Sequence, residues 1–131
     1  TNMQILLEKV KADKKLVVAG NMDLTELEGK AFWPIYDAYQ KDLQVINDRI
    51  GKTILAYAEA YNNKTLSNTQ AKQLTDEVLA IDQDEITLRK TYAARLGKAI
   101  PGTKVARYLQ IENKIRAVIR YDLAANIPLV P

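Results

Sequence analysis

Two glutamates stand where the helical period of the chain predicts buried apolar side chains. Glu85 falls within the seam of one predicted helix and Glu112 within the seam of the next. A carboxylate in an apolar seam is costly unless an ion pair or a hydrogen bond compensates it. Arginines occur within a turn or two on the same helices, so we expect a buried polar network in which each carboxylate pairs with an arginine or accepts a tyrosine hydroxyl. Its candidate members are Glu85, Glu112, Arg89, Arg107 and Arg116.

The composition excludes most of the chemistry that these glutamates could join. The 131 residues include no histidine and no cysteine, which excludes disulfides, thiolate metal sites, a Ser-His-Asp triad and a Glu-x-x-His di-iron site. Met3 and Met22 are the only soft metal ligands. We predict a protein that is not an enzyme and binds no cofactor or metal. A bundle enzyme of the chorismate mutase type is the weaker alternative, because it needs convergent Arg and Lys side chains on stripes that here are aliphatic, Tyr and Glu.

Aromatic residues are the second candidate for function. The chain has seven Tyr, one Phe and one Trp, and a tyrosine hydroxyl must find a partner or reach water. Most tyrosines fall on or near inward stripes, which predicts core residues with their hydroxyls at the bundle edge. The functional alternative is an amphipathic surface that holds unfolded segments or a partner. The candidate interface residues are Trp33, Tyr36, Tyr39, Tyr57, Tyr61, Tyr92 and Tyr108.

The elements that carry these residues are predicted to be helices throughout. Apolar residues recur with a helical period along most of the chain, and no segment competes as a strand. Capping boxes mark two helix starts, at Thr25 with Glu28 and at Ser67 with Gln70, and Thr103 is the expected cap of a third. The predicted helices span about residues 3–18, 25–61, 67–97 and 103–125.

The predicted architecture is one all-α domain over residues 1–131. Three long helices joined by short turns favour antiparallel packing in a hairpin-rich bundle. The first helix is short and ends at Gly20-Asn21. In the third and fourth helices, the apolar stripes that should face inward include Val78 and Ile119, respectively. The apolar stripe of the first helix consists of Met3, Leu6, Leu7, Val10 and Val17.

The second predicted helix has an unusual beginning, with the sequence AFWPIY at residues 31–36. Pro34 lies past the first turn, where a missing N–H predicts a kinked axis and hence a curved bundle. Gly29 leaves room for another backbone or a ligand to approach closely. Trp33 points away from the main stripe, so it either packs under the first helix as core or contacts a second copy or a client.

Residues 23–127 resemble a known family. LTELE at residues 24–28 and LSNTQ at 66–70 are two imperfect Leu-Thr-x-x-Gln motifs. With DLTELEGKAFWPIYDAYQKDL and ARYLQIENKI, they resemble the Spy/CpxP-like group of periplasmic stress proteins, and within it the branch that carries Phe-Trp-Pro-x-Tyr in its first long helix. The resemblance implies export to the periplasm, a helical hairpin-rich fold, homodimers that form a curved cradle, and ATP-independent chaperone or envelope-stress roles. The chaperone activity belongs to other branches of the group.

Charge is segregated along the chain. Residues 76–85 carry five acidic side chains and no basic one, whereas residues 89–120 carry nine Lys or Arg against Glu112 alone. This is either ordinary solvated helix surface or a basic face for acidic clients or lipid head groups. Nucleic acid is not expected, because the chain has neither helix-turn-helix spacing nor strand-borne aromatics. No apolar stretch approaches the roughly 18 residues of a transmembrane segment.

These features predict a non-enzymatic periplasmic helical protein whose signal peptide lies outside these residues. We expect it to bind unfolded or partner proteins as an ATP-independent chaperone-like or envelope-stress accessory protein, and to form a homodimer. The alternative is a dedicated regulatory or structural partner of a membrane sensor, with no general chaperone activity.

Overall fold

A computed structural model shows that the protein is all-α, as predicted. The structure describes the backbone of residues 2–131 and the side chains of residues 12–131. Within residues 2–131 it contains four helices and no strand. The helices are α1 (Asn2–Met22), α2 (Glu26–Asn63), α3 (Asn68–Gly97) and α4 (Gly102–Asn126).

The chain divides into two compact units. The terminal unit consists of Thr1–Phe32 and Leu96–Ile127, and the hairpin unit consists of Trp33–Arg95 and Pro128–Pro131. The long helices α2 and α3 therefore each contribute to both units. The prediction of one domain over residues 1–131 stays a prediction, and each unit is described by itself.

The helix starts follow the local capping chemistry that the sequence indicated, with one exception. The Thr25 N–H donates to Glu28 Oε1 at 2.9 Å and the Glu28 N–H donates to Thr25 Oγ1 at 3.2 Å, which confirms the first capping box. The Gln70 N–H donates to Ser67 Oγ at 3.1 Å. The predicted Thr103 cap is wrong. Helix α4 begins at Gly102 with Pro101 as its N-cap, and no side chain caps it, because the proline side chain has no atom that can accept a hydrogen bond from the first N–H groups.

Helix α1 runs further than predicted and presents a different face. It continues through Gly20 to Met22, and the chain turns at Asp23, whose φ of 51° lies in the left-handed region that Asp tolerates better than most residues. Val17, expected inside, is 49% exposed, whereas Val18 and Met22 are fully buried. The predicted helix ended before Met22. The predicted apolar stripe therefore did not include this residue and was assigned to Val17 instead of Val18. The side chains of Met3, Leu6, Leu7 and Val10 lie outside the described side chains.

Helix α2 is continuous through Pro34, so the proline does not end it. The Gly29 N–H donates to the Thr25 carbonyl at 2.9 Å, which is an ordinary helical hydrogen bond. The predicted kink and curvature stay predictions.

Each unit has its own interior, and each interior includes one glutamate. The terminal unit buries Val18, Met22, Phe32, Leu96, Ile100, Val105, Tyr108 and Glu112. The hairpin unit buries Tyr36, Tyr39, Ile46, Ala60, Ile81, Glu85 and Tyr92.

Candidate protein-binding surface

The interior of the hairpin unit is built around Tyr92 of α3. Its ring lies 5.0 Å from the ring of Tyr39 on α2, and its hydroxyl donates to Asp42 Oδ2 at 2.5 Å. The Arg95 guanidinium stands 4.8 Å from the Tyr92 ring centroid, within cation–π distance. Burial, and then the hydrogen bond to Asp42, raise the pKa of Tyr92. The hydroxyl is therefore a structural donor that stays neutral at physiological pH.

Arg49 of α2 joins the same two helices through two ion pairs. Its Nε lies 3.1 Å from Glu77 Oε1 and its Nη1 lies 2.6 Å from Asp84 Oδ2. The hydrogen bonds, first to Asp84 and then to Glu77, raise the pKa of Arg49. A further pair, between Lys72 and Asp76 at 2.7 Å, lies on α3 itself. Three of the five acidic side chains of residues 76–85 are thus ion-paired, so the acidic stretch of the sequence is partly neutralised within the unit.

Glu112 is the buried carboxylate of the terminal unit, and one of its partners is a tyrosine hydroxyl, as predicted. It accepts a hydrogen bond from the Tyr108 hydroxyl, which was one of the two expected arrangements. Its cationic partner is Lys14 of α1, at 2.7 Å. Arg107 donates instead to the Asn21 carbonyl. Arg107 is five residues before Glu112 and therefore points to a different side of α4, so that part of the predicted network is wrong.

The other members of the predicted network are divided between the two units. Glu85 is buried in the hairpin unit, where Arg89 on the same helix is half-buried, and Arg116 is half-buried on α4 of the terminal unit. Among residues 12–131 no buried side-chain nitrogen or oxygen lacks a hydrogen-bond partner. In the same residues no three acidic side chains are grouped as a metal site would require.

A second polar contact in the terminal unit joins α4 to the start of α2. Lys104 Nζ lies 2.6 Å from Glu28 Oε1 and 2.7 Å from the Asp23 carbonyl oxygen. The hydrogen bond from Lys104, followed by the one from the Thr25 backbone, lowers the pKa of Glu28. One carboxylate thus caps α2 and pairs with α4 at the same time.

The structure divides the predicted aromatic interface into two groups. Tyr36, Tyr39, Tyr92 and Tyr108 are buried, so a partner cannot contact them, and the surface interpretation is wrong for these four residues. The hydroxyls of Tyr92 and Tyr108 donate to carboxylates of their own units, Asp42 at the surface and the buried Glu112, so the rings can lie in the interior. The remaining three candidates, Trp33, Tyr57 and Tyr61, are half-buried.

The half-buried aromatic residues make specific contacts in the hairpin unit. Trp33 packs edge-on against Tyr36, with the ring centroids 5.1 Å apart. Tyr57 and Tyr61 lie one turn apart with their centroids separated by 5.9 Å, and the Tyr57 hydroxyl donates to the Pro128 carbonyl at 2.8 Å. Part of each of these three side chains remains accessible to a partner.

Exposed aliphatic residues form a second candidate surface, which was not predicted from the sequence. On α3, Val78, Leu79 and Ile86 form what we call the α3 ridge, with Leu79 61% and Ile86 46% exposed. Leu79 and Ile86 are seven residues apart and therefore lie on one side of the helix. Val78 was expected inside and is 44% exposed. The seven-residue repeat outside the predicted seam was the signal that could have indicated this ridge.

Helix α4 also exposes apolar side chains. Val118 and Tyr121, which we call the α4 ridge, are neighbours three residues apart, and Tyr121 is 78% exposed. Ile119, which was predicted to lie inward, is 54% exposed. Both units therefore present apolar surface to solvent while their buried polar groups are paired.

Comparisons of the chain with protein-family models, curated proteins and solved structures gave no match. Within residues 2–131, no helix combines the length and the apolar character that crossing a bilayer requires.

Proposed function

We propose that the protein is a non-enzymatic binder of other polypeptides in the periplasm, acting as an ATP-independent chaperone-like or envelope-stress accessory protein. The sequence resemblance described above supports the compartment and the class of role. The exposed apolar ridges support polypeptide binding, because large apolar side chains exposed on one side of a helix can supply contacts to a partner.

The α3 ridge is the observation that carries the proposal. Leu79 and Ile86 stand on the outer side of a helix whose inner residues, such as Tyr92, are already packed. The fold does not require aliphatic side chains there, and a polar residue would lower the risk of aggregation. Acidic residues flank the ridge at Asp76 and Asp82. An apolar strip with charged edges is suited to hold unfolded segments loosely and in a soluble form.

The proposal is tested by the aggregation of a chemically unfolded client, followed by light scattering without ATP at equimolar protein. We expect the wild-type protein to suppress aggregation and the variant Leu79→Ser/Ile86→Ser to lose most of this suppression. The matched control is Val45→Ser/Leu55→Ser, which changes two exposed aliphatic residues of α2 that lie on different sides of that helix. The control has the same chemical change without a ridge, so it should protect the client as the wild type does.

Two outcomes would contradict the proposal. If the wild-type protein leaves aggregation unchanged at both low and high salt, the general binding of unfolded clients is wrong. Capture of one specific protein from envelope extracts would then favour a dedicated partner of a membrane sensor. If both double variants lose activity equally, suppression depends on general surface hydrophobicity and the α3 ridge is not the site.

A further inference from the structure

The C-terminal half of α1 packs against the rest of the terminal unit with one side of the helix. Val18 and Met22, four residues apart on one side of the helix, are both fully buried. One turn before them, Lys14 pairs with Glu112 at 2.7 Å. Lys14 contacts residue 112 and Asn21 contacts residue 107, so α1 runs antiparallel to α4. Within residues 12–22, one cation and two apolar side chains at positions i, i+4 and i+8 thus contribute to the packing of α1 on the terminal unit.

The end of α1 is bound through its backbone. The last carbonyls of a helix have no partner within the helix and carry a partial negative charge. Here the Asn21 carbonyl, in the last turn, accepts from Arg107 Nε, and the carbonyl of Asp23, the residue that follows the helix, accepts from Lys104 Nζ. Because these contacts use main-chain atoms, they would serve the C-terminal end of any helix in the same position.

The opposite side of α1 faces solvent. Leu16 is 70% exposed and Val17 is 49% exposed, so the helix lies on the surface of the unit and is not enclosed by it. Segments with few buried apolar residues open locally at a lower free energy than the core does, and within residues 12–22 only Val18 and Met22 are buried. When α1 opens, the apolar residues under Val18 and Met22, the Glu112 carboxylate and the two cations become available together.

We propose that the surface on which α1 packs, the α1 seat, is a binding site for a helix of a partner protein, and that α1 is its displaceable occupant in the free protein. The α1 seat consists of Glu112, Arg107 and Lys104, which contact residues 14, 21 and 23, together with the apolar residues Phe32, Val105 and Tyr108 that the same unit buries. Its ligand is a helix with Lys or Arg at position i, aliphatic residues at i+4 and i+8, and free carbonyls at its C-terminal end. This inference rests on the proposed function, the binding of other polypeptides, and adds to it a site that selects one kind of helix.

Charge distinguishes the partner from a second copy of the chain. Without α1, the rest of the terminal unit, residues 23–32 and 96–127, carries seven basic and five acidic side chains, a net charge of +2. Two such units repel each other, and the α1 of a second copy is already bound in its own seat at high effective concentration. A helix with acidic residues on its outward faces would be attracted instead. The partner helix therefore combines one inward cation with an acidic exterior.

The test is the binding of fluorescein-labelled peptides to the full-length chain, followed by anisotropy. The first peptide has the sequence of residues 2–23, and the second carries Ala12→Glu and Ala19→Glu, both at exposed positions of α1. We expect the acidic peptide to bind about threefold to tenfold more tightly at low salt, with the difference shrinking at high salt. A peptide in which Lys14, Val18 and Met22 are replaced by Glu, Asp and Asp should not bind.

Variants of the protein test whether α1 competes for the seat. Val18→Ala/Met22→Ala weakens the binding of the chain's own α1 and leaves the α1 seat unchanged. This variant should therefore bind both peptides at least about tenfold more tightly than the wild type does. The matched control Leu16→Ala/Val17→Ala changes the exposed side of the same helix and should bind as the wild type does. Equal affinities of the wild type and both variants would overturn the proposal.

Amide hydrogen exchange of the wild-type protein is a second test, which does not depend on whether Val18→Ala/Met22→Ala folds. The amides of residues 14–21 should exchange at least about tenfold faster than those of residues 105–112, because α1 opens without α4. Equal protection of the two segments would overturn the proposal. A wild-type dimer that either peptide dissociates would also overturn it, since the occupant would then be a second copy.

The peptide assay contains no client, so the two proposals can fail separately. Peptide binding together with unchanged client aggregation would refute the chaperone role and retain the α1 seat. Suppression of aggregation without peptide binding would retain the chaperone role and refute the α1 seat.

Discussion

The hydrogen bond between Tyr92 and Asp42 gives the sharpest prediction about stability. The change Tyr92→Phe removes the hydroxyl and keeps the buried ring that packs on Tyr39. A hydrogen bond to a charged group contributes about 1.5–3 kcal/mol. Asp42 is exposed and regains water in the variant, which places the loss toward the lower end. We expect the free energy of unfolding to fall by about 1–2 kcal/mol and the melting temperature by about 3–6 °C.

Thermal and urea unfolding followed by circular dichroism at 222 nm measure this loss. The matched control is Tyr121→Phe, which removes a hydroxyl from a 78% exposed side chain and should change stability by less than about 0.5 kcal/mol. A double-mutant cycle with Asp42→Ala isolates the pair and should give a coupling free energy of about 1 kcal/mol or more. Equal losses for the two Tyr→Phe variants, or a coupling near zero, would refute the reasoning.

The same pair predicts a dependence on alkaline pH. The pKa of Tyr92 is raised in the folded state by burial and by Asp42. The neutral phenol therefore contributes stability that is fully present below the ordinary tyrosine pKa of about 10 and is lost as the pH rises above it. Tyr92→Phe has no such loss, so the stability of the wild type should fall more steeply above pH 10 than that of the variant. Parallel stability curves in this range would contradict the prediction.

Three further predictions concern other parts of the chain. The pKa of Glu28 is lowered by Lys104, so the stability that this pairing contributes is lost as the pH falls below about 4.5 and through the folded pKa. In Glu28→Gln the melting temperature should therefore depend less on pH between pH 7 and pH 3 than it does in the wild type. The same pH dependence in both proteins would count against the pairing. Glu112→Ala removes the buried carboxylate that pairs with the half-buried Lys14 and accepts from the Tyr108 hydroxyl, and it should lower the free energy of unfolding by about 2–3 kcal/mol in urea, whereas a loss under about 1 kcal/mol would show that the pair is not needed. Trp33→Ala should keep far-UV helicity and weaken client or dimer contacts, and an unfolded variant would identify Trp33 as core.

The sequence alone was sufficient for the helices because the information that forms them is local. A capping box such as Thr25 with Glu28 lies within one turn, and its two hydrogen bonds are present as predicted. The burial of Glu85 and Glu112 followed from their period within each helix. The errors also have local causes. At the end of α1 the left-handed turn falls on Asp23 and not on Gly20, so the helix continues to Met22 and the predicted end at Gly20-Asn21 is wrong.

The tertiary structure alone decided which residues meet. Lys14 and Glu112 are far apart in the sequence, as are Asp42 and Tyr92, and no spacing rule within a helix can pair them. Their partners depend on the register of two helices, which side-chain packing along the whole contact determines. The same packing decides which apolar residues remain outside, as Leu79 does on α3. The chain's own residues thus fix where helices form and which residues are candidates for the interior, whereas the contacts between helices fix the ion pairs, the buried hydroxyls and the exposed surface available to a partner.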